Sequence, residues 1–378
     1  MIFSIDRDIL LENLNLIQRG LPVKTAMPVL NGIKMELTGE DLYLTSSNTD
    51  ISVQVIVSDA SLKITEPGKI VVPGNYFIQI VRKINSKIIN FSVIEDKIII
   101  IKTERSEFKL NLLSAFDYPN IDFVCLDKPL VLSAKTIRLI IKETAYATST
   151  SEKRPILTGV SLNYANHKLT AIATDSFRLS QKVLELDDVT FDDFNLVIPF
   201  KSLDELGKTL ENYNDMVEMY FNKTKIVFKY KNILFQSRLL DGAYPDTSRL
   251  IPAEFPVTVR FNKDELMNAI DRVSLLSNKD KENQYSVVRF NIRKDHIVEI
   301  SSTSNEIGNA LEEIIPTDPI DGPELRIAFS ARYIIEALKS FISPEVTLCF
   351  TGEVRPFICK GDLDYNLTAL ILPVRVDW

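Results

Sequence analysis

The feature that most constrains this chain is a hydrophobic pattern that occurs three times, at offsets of 127 and then 129 residues. The three copies are Phe3, Ile5, Leu10, Leu14 and Ile17; Leu130, Leu132, Ile137, Ile141 and Thr144; and Val259, Phe261, Leu266, Ile270 and Val273. The first two residues of each copy have the spacing of one strand face, and the last three have the spacing of one helix face. Gly20 follows the first helix where a C-cap glycine is expected. The pattern predicts three copies of one strand–helix unit.

A second strand–helix unit also occurs three times, and it completes each repeat. Its copies are Pro73, Phe77, Ile80, Val81 and Ile84; Pro199, Leu203, Leu206, Gly207 and Leu210; and Ser330, Ile334, Ala337, Leu338 and Phe341. Between the two units lie alternating runs such as residues 51–57 and 179–186, which are typical of antiparallel strands. We therefore predict an α+β fold with three domains, 1–127, 128–255 and 256–378, each with two helices packed on antiparallel sheets.

The charge of the chain excludes a wholly basic nucleic-acid binder, because 44 Lys and Arg against 51 Asp and Glu give a net charge of −7. The distribution is uneven, since the six predicted helices carry 14 basic and 10 acidic residues. These helices are predicted at residues 7–20, 74–87, 134–147, 200–212, 262–278 and 330–341. The excess is compatible with ordinary helix surface charge, or with helices that face a polyanion as equivalent elements of a repeat protein can.

No residue pattern in the chain indicates catalysis or metal binding. There is no glycine-rich phosphate loop, nucleophile elbow or zinc motif. We expect His167 and His296 to be surface residues, and Cys349 and Cys359 to be buried strand residues. The cysteines, with Cys125, are too scattered for a disulfide framework. We interpret one acidic run as a solvated loop; its residues are Asp187, Asp188, Asp192 and Asp193. We expect a binding or scaffold protein without a cofactor, not an enzyme.

The chain shows no signal peptide and no apolar run of the roughly 18 residues that a membrane helix needs. We expect a cytoplasmic protein without a membrane partner.

Four motifs then occur in a fixed order. They are Arg154-Pro155-Ile156-Leu157-Thr158-Gly159-Val160, Ala173-Thr174-Asp175-Ser176-Phe177-Arg178-Leu179, Tyr244-Pro245-Asp246-Thr247-Ser248-Arg249-Leu250-Ile251-Pro252, and Leu370-Ile371-Leu372-Pro373-Val374-Arg375. Together with the threefold repeat, they make the whole chain resemble the bacterial DNA polymerase III beta subunit, the sliding clamp. The resemblance implies a non-catalytic processivity factor, a head-to-tail homodimer whose six domains close a ring around double-stranded DNA.

The resemblance also implies three sets of site residues. A peptide-binding cleft between the second and third domains would include Leu157, Thr174, Ser176, Phe177, Arg178, Leu179, Pro245, Leu250, Pro356, Leu370, Leu372, Pro373, Val374 and Arg375. Arg178 and Arg375 would bond peptide carbonyls or carboxylates. By resemblance or by charge, the DNA-facing residues would be Lys24, Arg82, Lys83, Lys153, Arg154 and Lys201. The dimer interface would join Phe108 and Leu110 of one chain to Leu275 and Leu276 of the other.

The expected partners are the replicative DNA polymerase and the clamp loader, with repair polymerases, mismatch-repair proteins and ligase, and the protein would associate with the nucleoid during replication. Two positions depart from the family pattern: Phe177 replaces a common His, and Lys24 replaces a common Arg. The tail ending in Trp378 either covers the cleft or is unconstrained.

Two other classes of function stay open on the residues alone. One is a multi-domain adaptor that uses the same cleft without encircling DNA. The other is a metal-dependent hydrolase that uses the acidic run 187–193.

Overall fold

The computed structural model describes residues 1–124, 128–186, 191–277, 286–295, 297–304 and 306–376. Within these ranges there are six α-helices, one at each of the six predicted places. They are α1 (Arg7–Ile17), α2 (Gly74–Lys83), α3 (Ala134–Thr144), α4 (Phe200–Thr209), α5 (Lys263–Ser274) and α6 (Ala331–Ser340). Each ends before its predicted C-terminus. After α1, for example, the chain tightens into a 3-10 turn at Gln18–Gly20.

Polar caps set the starts of α1, α5 and α6. The Asp6 carboxylate accepts the N–H groups of Asp8 and Ile9 at the start of α1. Asn262 and Ser330 cap α5 and α6 in the same way.

The expectation that Gly20 is the C-cap of the first helix is wrong, because Gln18 is the C-cap of α1. Gly20 lies in the 3-10 turn and is absent from the residues with positive φ. A Cβ at this position would stand 2.2 Å from Ser46 Oγ. The glycine is required there because the backbone approaches a neighbouring strand closely.

Alternating hydrophobic residues form the strands, which are numbered in chain order. The first repeat contributes β1 (Ile2–Asp6), β2 (Gly32–Thr38), β3 (Asp41–Ser47), β4 (Ile51–Val57), β5 (Lys63–Glu66), β6 (Gly68–Pro73), β7 (Ile88–Ile94), β8 (Ile98–Lys102) and β9 (Glu107–Asn111). The second contributes β10 (Leu130–Ser133), β11 (Gly159–Ala165), β12 (Lys168–Thr174), β13 (Arg178–Glu185), β14 (Phe194–Pro199), β15 (Met216–Phe221), β16 (Lys225–Tyr230) and β17 (Ile233–Arg238). The third contributes β18 (Val257–Asn262), β19 (Val287–Ile292), β20 (Val298–Ser304), β21 (Gly308–Ile314), β22 (Leu325–Ser330), β23 (Glu345–Phe350), β24 (Phe357–Gly361) and β25 (Leu367–Ile371).

These strands form four antiparallel sheets, two of which run from one repeat into the next. The order β10-β15-β16-β17-β4-β3-β2-β6 joins the second repeat to the first, and β14-β11-β12-β13-β25-β24-β23-β18 joins it to the third. The connecting pairs are β17 with β4 and β13 with β25. The remaining sheets are β5-β1-β7-β8-β9 in the first repeat and β21-β20-β19-β22 in the third. Hydrogen bonds between strands therefore connect successive repeats.

The chain divides into two compact units, and the division passes through the second repeat. One unit holds residues 1–138 and 201–239, and the other holds residues 139–200 and 240–378. The domain boundaries 1–127, 128–255 and 256–378 remain a prediction from the repeat. The core of the third repeat contains an aromatic cluster in which Phe290 contacts Phe261, Phe329 and Phe350.

The histidines, cysteines and acidic run named above are placed as expected where the structure describes them. Cys349 and Cys359 are buried free thiols, and burial raises the pKa of both. His167 lies on the exposed turn between β11 and β12. Asp192 and Asp193 are exposed, while Asp187, Asp188, His296, Cys125 and Trp378 lie outside the described residues.

The described residues contain neither a candidate metal site nor a candidate membrane span. No group of three or more His, Cys, Asp or Glu is placed to hold a metal ion in that part of the chain. None of its helices is long and apolar enough to cross a membrane.

Candidate functional site

The centre of the candidate site is the turn at residues 174–178, which connects β12 to β13. Thr174 Oγ1 donates to the carbonyl of Arg178 at 2.6 Å, and the Asp175 carboxylate accepts the N–H groups of Phe177 and Arg178 at 2.9 and 3.1 Å. Ser176 takes a left-handed φ of 79°. The side chains of Thr174 and Asp175 thus hold a backbone conformation that is rare for a non-glycine residue.

Below this turn, the Arg178 side chain connects elements that are far apart in sequence. Its Nε donates to Asp175 at 3.0 Å and its Nη2 donates to the carbonyl of Tyr146 at 2.6 Å. Its Nη1 donates to Glu336 on α6. The side chain is only 5% exposed. Arg178 therefore acts as a buried link between the turn, the segment after α3 and α6.

Burial and charge shift the acidities around Arg178 in different directions. Burial raises the pKa of Asp175, although the adjacent Arg178 opposes the shift. Burial would also raise the pKa of Glu336, but hydrogen bonds from Arg332 and Arg178 hold it below its usual value. Loss of solvation raises the pKa of Tyr146 to about 12. Glu336 therefore stays ionised and compensates the buried guanidinium.

Next to Arg178, the exposed ring of Phe177 and the half-buried ring of Tyr333 form an aromatic pair. The Phe177 ring stacks on Tyr333 with centroids 6.4 Å apart and an interplanar angle of 22°. The Arg178 guanidinium lies over the same Tyr333 ring, 4.6 Å from its centroid. Phe177 remains 44% exposed. The stack therefore presents one accessible aromatic surface beside the turn.

The C-terminal strand forms the next wall of the site. Leu372 donates its N–H to the carbonyl of Phe177 at 2.9 Å, which continues the pairing of β13 with β25. Beyond it, Val374 donates its N–H to the carbonyl of Ala328 at 2.7 Å. The segment therefore runs from the turn onto β22, and Arg375 at its end is exposed.

An apolar cluster lies beside the paired strands. Its buried members are Leu179, Cys349, Ile358 and Leu370, and Ile172, Ile251 and Phe255 pack against it. Tyr244 accepts the N–H of Thr174 at its hydroxyl, at 3.0 Å, and attaches the segment of residues 244–255 to the turn. Leu250 in that segment is 50% exposed. The site therefore combines an apolar floor with exposed apolar residues at its edge.

The structure separates the residues expected in the cleft into three groups. Those below the surface are Leu157, Thr174, Arg178, Leu179 and Leu370. Those that are half-buried are Pro245, Pro356, Leu372, Pro373 and Val374. Those that are exposed are Ser176, Phe177, Leu250 and Arg375. The expectation that Arg178 bonds peptide carbonyls or carboxylates needs correction, because its guanidinium is buried and bonded within the chain. Arg375 is the exposed cation of the pair.

The six residues expected to face DNA are all exposed, but they have different surroundings. Lys24 follows α1, Arg82 and Lys83 lie in the last turn of α2, and Lys201 lies in the first turn of α4. Arg82 donates to Asn15 at 3.1 Å. Arg154, next to Lys153, places its Nη1 3.5 Å from Ser176 Oγ. Arg154 therefore borders the turn at residues 174–178.

The expected dimer residues lie at or near the ends of sheets. Phe108 is 38% exposed on β9, the last strand of its sheet in the described part of the chain, and Leu110 is half-buried. Leu275 follows α5 and is 76% exposed, whereas Leu276 is half-buried. In the four-stranded sheet of the third repeat, the edge strand β21 carries Leu311, which is 61% exposed. Edge strands with exposed apolar residues are association sites.

Sequence reasoning missed Tyr146, Tyr333 and Glu336, which hold Arg178 in place. They lie 32, 155 and 158 positions from Arg178, outside the motifs. Tyr333 and Glu336 do share a helical spacing of three, but that spacing is common. Only the fold brings these residues together.

Family profiles match all three repeats. The DNA polymerase III beta subunit N-terminal domain matches residues 1–122, the central domain matches residues 131–246, and the C-terminal domain matches residues 248–375.

Whole proteins agree with these matches. The beta sliding clamp of Bacillus subtilis is 37% identical over 380 residues, covering 99% of this chain and 100% of the relative. That of Streptococcus pneumoniae R6 is 39% identical over 381 residues, covering 99% of each. The solved DNA polymerase sliding clamp from Bacillus subtilis has a TM-score of 0.94 at 36% identity, and the DNA polymerase beta subunit of Streptococcus pyogenes has the same values; each comparison covers 100% of both chains.

Proposed function

This chain belongs to the DNA polymerase III beta subunit family, the bacterial beta sliding clamps, and we propose that two copies close head to tail into a ring around double-stranded DNA. It is a non-catalytic processivity factor of a DNA polymerase. The observation that carries the proposal is the match of clamp domains to all three repeats. Six such domains from two chains would complete the ring, with the helices toward DNA.

The two edge strands support the mode of closure. In each chain, β9 presents Phe108 and β21 presents Leu311, while Leu275 stands exposed after α5. Head-to-tail closure would join β9 of one copy to β21 of the other, and the same contact would form twice. Pairing edges satisfies backbone hydrogen bonds and buries these apolar side chains together.

The ring explains how weak contacts with DNA can be sufficient. An open non-specific binder has a dissociation constant of roughly 10⁻⁴–10⁻⁶ M at physiological salt and leaves DNA readily. A closed ring leaves only when it opens or reaches a DNA end. Exposed cations such as Lys24, Lys83 and Lys201 would contact phosphates without reading bases. The protein could therefore slide while it stays linked.

The cleft beside the turn at residues 174–178 supports the tethering of a partner. Its apolar floor and the exposed Phe177 and Leu250 would bury apolar side chains of an extended peptide, each worth about 1.5–3 kcal/mol when fully buried. Arg375 would bond peptide carbonyl or carboxylate groups. A polymerase held in this way has a raised effective concentration at the primer end.

We assign the cleft to the replicative polymerase and the clamp loader first. Repair polymerases, mismatch-repair proteins and ligase would compete for it through short motifs of the same chemistry. The protein would act in the cytoplasm, on the nucleoid during replication.

The experiment that tests the function is retention on DNA after loading by the cognate clamp loader with ATP. We expect the protein to stay on nicked circular DNA and to leave linear DNA through its ends. Blocking the ends of the linear DNA with a bound protein should restore retention. Equal loss from circular and linear DNA, with loading verified, would contradict the ring and favour an adaptor that uses the cleft alone.

A further inference from the structure

A cavity of about 300 Å³ lies against the four-stranded sheet of the third repeat, next to the C-terminal segment. Its lining residues are Val287, Arg289, Ser302, Thr303, Val374, Arg375 and Val376. Val374 and Arg375 are also among the expected cleft residues, so the cavity shares part of its lining with the cleft. The other residues, which are Val376 of the C-terminal segment and four residues of β19 and β20, have no role in the function described above.

Two features of the fold bring the charged and polar groups to this cavity. In β19 the buried and half-buried residues alternate, so Val287 and Arg289 share the face that points away from the core. Arg289 pairs in register with Ala328, and the carbonyl of Ala328 accepts the N–H of Val374 at 2.7 Å. The C-terminal segment, which carries the exposed Arg375, is thereby attached beside the strand that carries Arg289.

The chemistry of the lining favours a carboxylate carried on an apolar chain. Two guanidinium groups supply the positive charge, and three valines supply apolar walls. Arg289 Nη1 donates to Thr303 Oγ1 at 3.1 Å, so the Thr303 hydroxyl acts as an acceptor there and can donate its own proton to a ligand. Ser302 already donates to the carbonyl of Val273 at 2.6 Å. The donors toward a ligand are therefore the two arginines and Thr303.

We propose that this cavity binds a carboxylate group of the peptide that occupies the adjacent cleft. The inference rests on the proposed function, because the cleft must hold a peptide. Arg289 and Arg375 would hold the carboxylate in charge-assisted hydrogen bonds, which are stronger than neutral ones and directional. Partners with an acidic group at the matching distance from their apolar residues would be preferred over partners with a neutral group there.

The test compares four fluorescein-labelled decapeptides that share a core of two leucines and one phenylalanine between serine flanks. One is neutral and amidated, one carries an aspartate before the core, one carries an aspartate after the core, and one has a free C-terminal carboxylate. Binding to the full chain is measured by fluorescence anisotropy. The second and third probes locate a side-chain carboxylate, and the fourth tests a chain terminus.

We expect one acidic probe to bind about tenfold more tightly than the neutral probe, because about 1.4 kcal/mol corresponds to a factor of ten in affinity. The preference should shrink as the salt concentration rises. In the Arg289→Gln variant the ratio of acidic to neutral affinity should fall to about one. Arg326→Gln removes an exposed arginine of the same sheet that does not line the cavity, and it should preserve the ratio.

The outcomes separate this inference from the proposed function. If the neutral probe and the acidic probes bind equally, the carboxylate site is wrong while the cleft stands. If no probe binds, the cleft itself is contradicted. Residues 377 and 378, outside the described residues, provide a further arm. If the preference for acidic probes appears only after residues 377 and 378 are deleted, the end of this chain occupies the cavity in the native protein. That result would overturn the proposal.

Discussion

At the scale of single residues, the geometry of the cleft depends most directly on Arg178. The Asp175 carboxylate holds the backbone N–H groups of the turn and also accepts Arg178 Nε, so the turn and the guanidinium are coupled. Glu336, the carbonyl of Tyr146 and the ring of Tyr333 complete the surroundings of the guanidinium. The exposed position of Phe177 is a consequence of this buried network.

We predict that Arg178→Gln destabilises the unit that contains the cleft by about 3 kcal/mol, because it leaves Asp175 and Glu336 without their shared buried partner. Chemical denaturation followed by circular dichroism measures the change. Arg332→Gln is the matched control, since Arg332 is 56% exposed and bonds the same Glu336. Its cost should stay below about 1 kcal/mol. Equal costs for the two variants would contradict the buried link.

Glu336 also predicts a pH dependence of stability. Its pKa in the folded chain lies below the ordinary 4.5. Its contribution to stability is therefore complete above the unfolded pKa and is lost as the pH falls through the folded pKa. The difference in unfolding free energy between the native chain and Glu336→Gln should shrink between pH 6 and pH 3. A difference that stays constant over this range would show that the carboxylate charge has no part in the network.

At the scale of elements, a second buried ion pair lies within the second repeat, and its lysine also bonds the third repeat. Lys182 on β13 lies 2.9 Å from Glu143 on α3, with the two side chains only 6% and 1% exposed. Lys182 also donates to the carbonyl of Tyr365, in the turn between β24 and β25. Burial raises the pKa of Glu143, while Lys182 opposes the shift. The pair therefore connects a helix and a strand of one repeat to a turn of the next.

We predict that Lys182→Met costs about 3–5 kcal/mol, because Glu143 is left as an uncompensated buried charge. The double variant Lys182→Met with Glu143→Leu should recover most of that loss, since a packed apolar pair replaces the ions. Denaturation curves of the single and double variants give the comparison. Lys168→Met breaks the exposed pair with Glu185, and should change stability by less than about 1 kcal/mol. A double variant no more stable than Lys182→Met would contradict the assignment.

At the scale of the whole molecule, the shared sheets make the repeats dependent on each other. Strand β4 of the first repeat pairs with β17 of the second through Val55 and Ile233. A fragment of residues 1–127 would expose the edge of β4, and edge strands of this kind promote aggregation. We therefore expect the fragment of residues 1–127 to aggregate in size-exclusion chromatography, while the full chain, in which β17 covers the edge of β4, stays monodisperse. A well-folded, monomeric fragment of residues 1–127 would show that the repeat is independent.

The proposed ring predicts a second property of the whole molecule. Leu275→Asp places a charge at a 76% exposed residue of the proposed dimer contact, so it should shift the protein to the mass of one chain, 42.9 kDa. Leu363→Asp changes a 52% exposed leucine outside that contact, and should leave the dimer intact. Sedimentation at micromolar concentration distinguishes the two. A Leu275→Asp protein that keeps the mass of the native dimer would remove this residue from the interface.

The sequence by itself determined the number of repeats, the places of the six helices and the positions of the motifs. These properties follow from local spacing: steps of two, three and four residues specify which side chains share a face, whatever the rest of the chain does. The turn at residues 174–178 is equally local, because Thr174 and Asp175 bond backbone groups within four positions.

Only the tertiary structure decided which of these residues reach the surface. Arg178 was expected to bond a peptide, but Tyr146, Tyr333 and Glu336 enclose it from distant positions. The residue spacing also did not predict that β13 pairs with β25 or that β17 pairs with β4. Alternation specifies the two faces of a strand but not which strand lies beside it. The cavity that contains Arg289 and Arg375 arises for the same reason, since long-range pairing alone brings β19 and the C-terminal segment together.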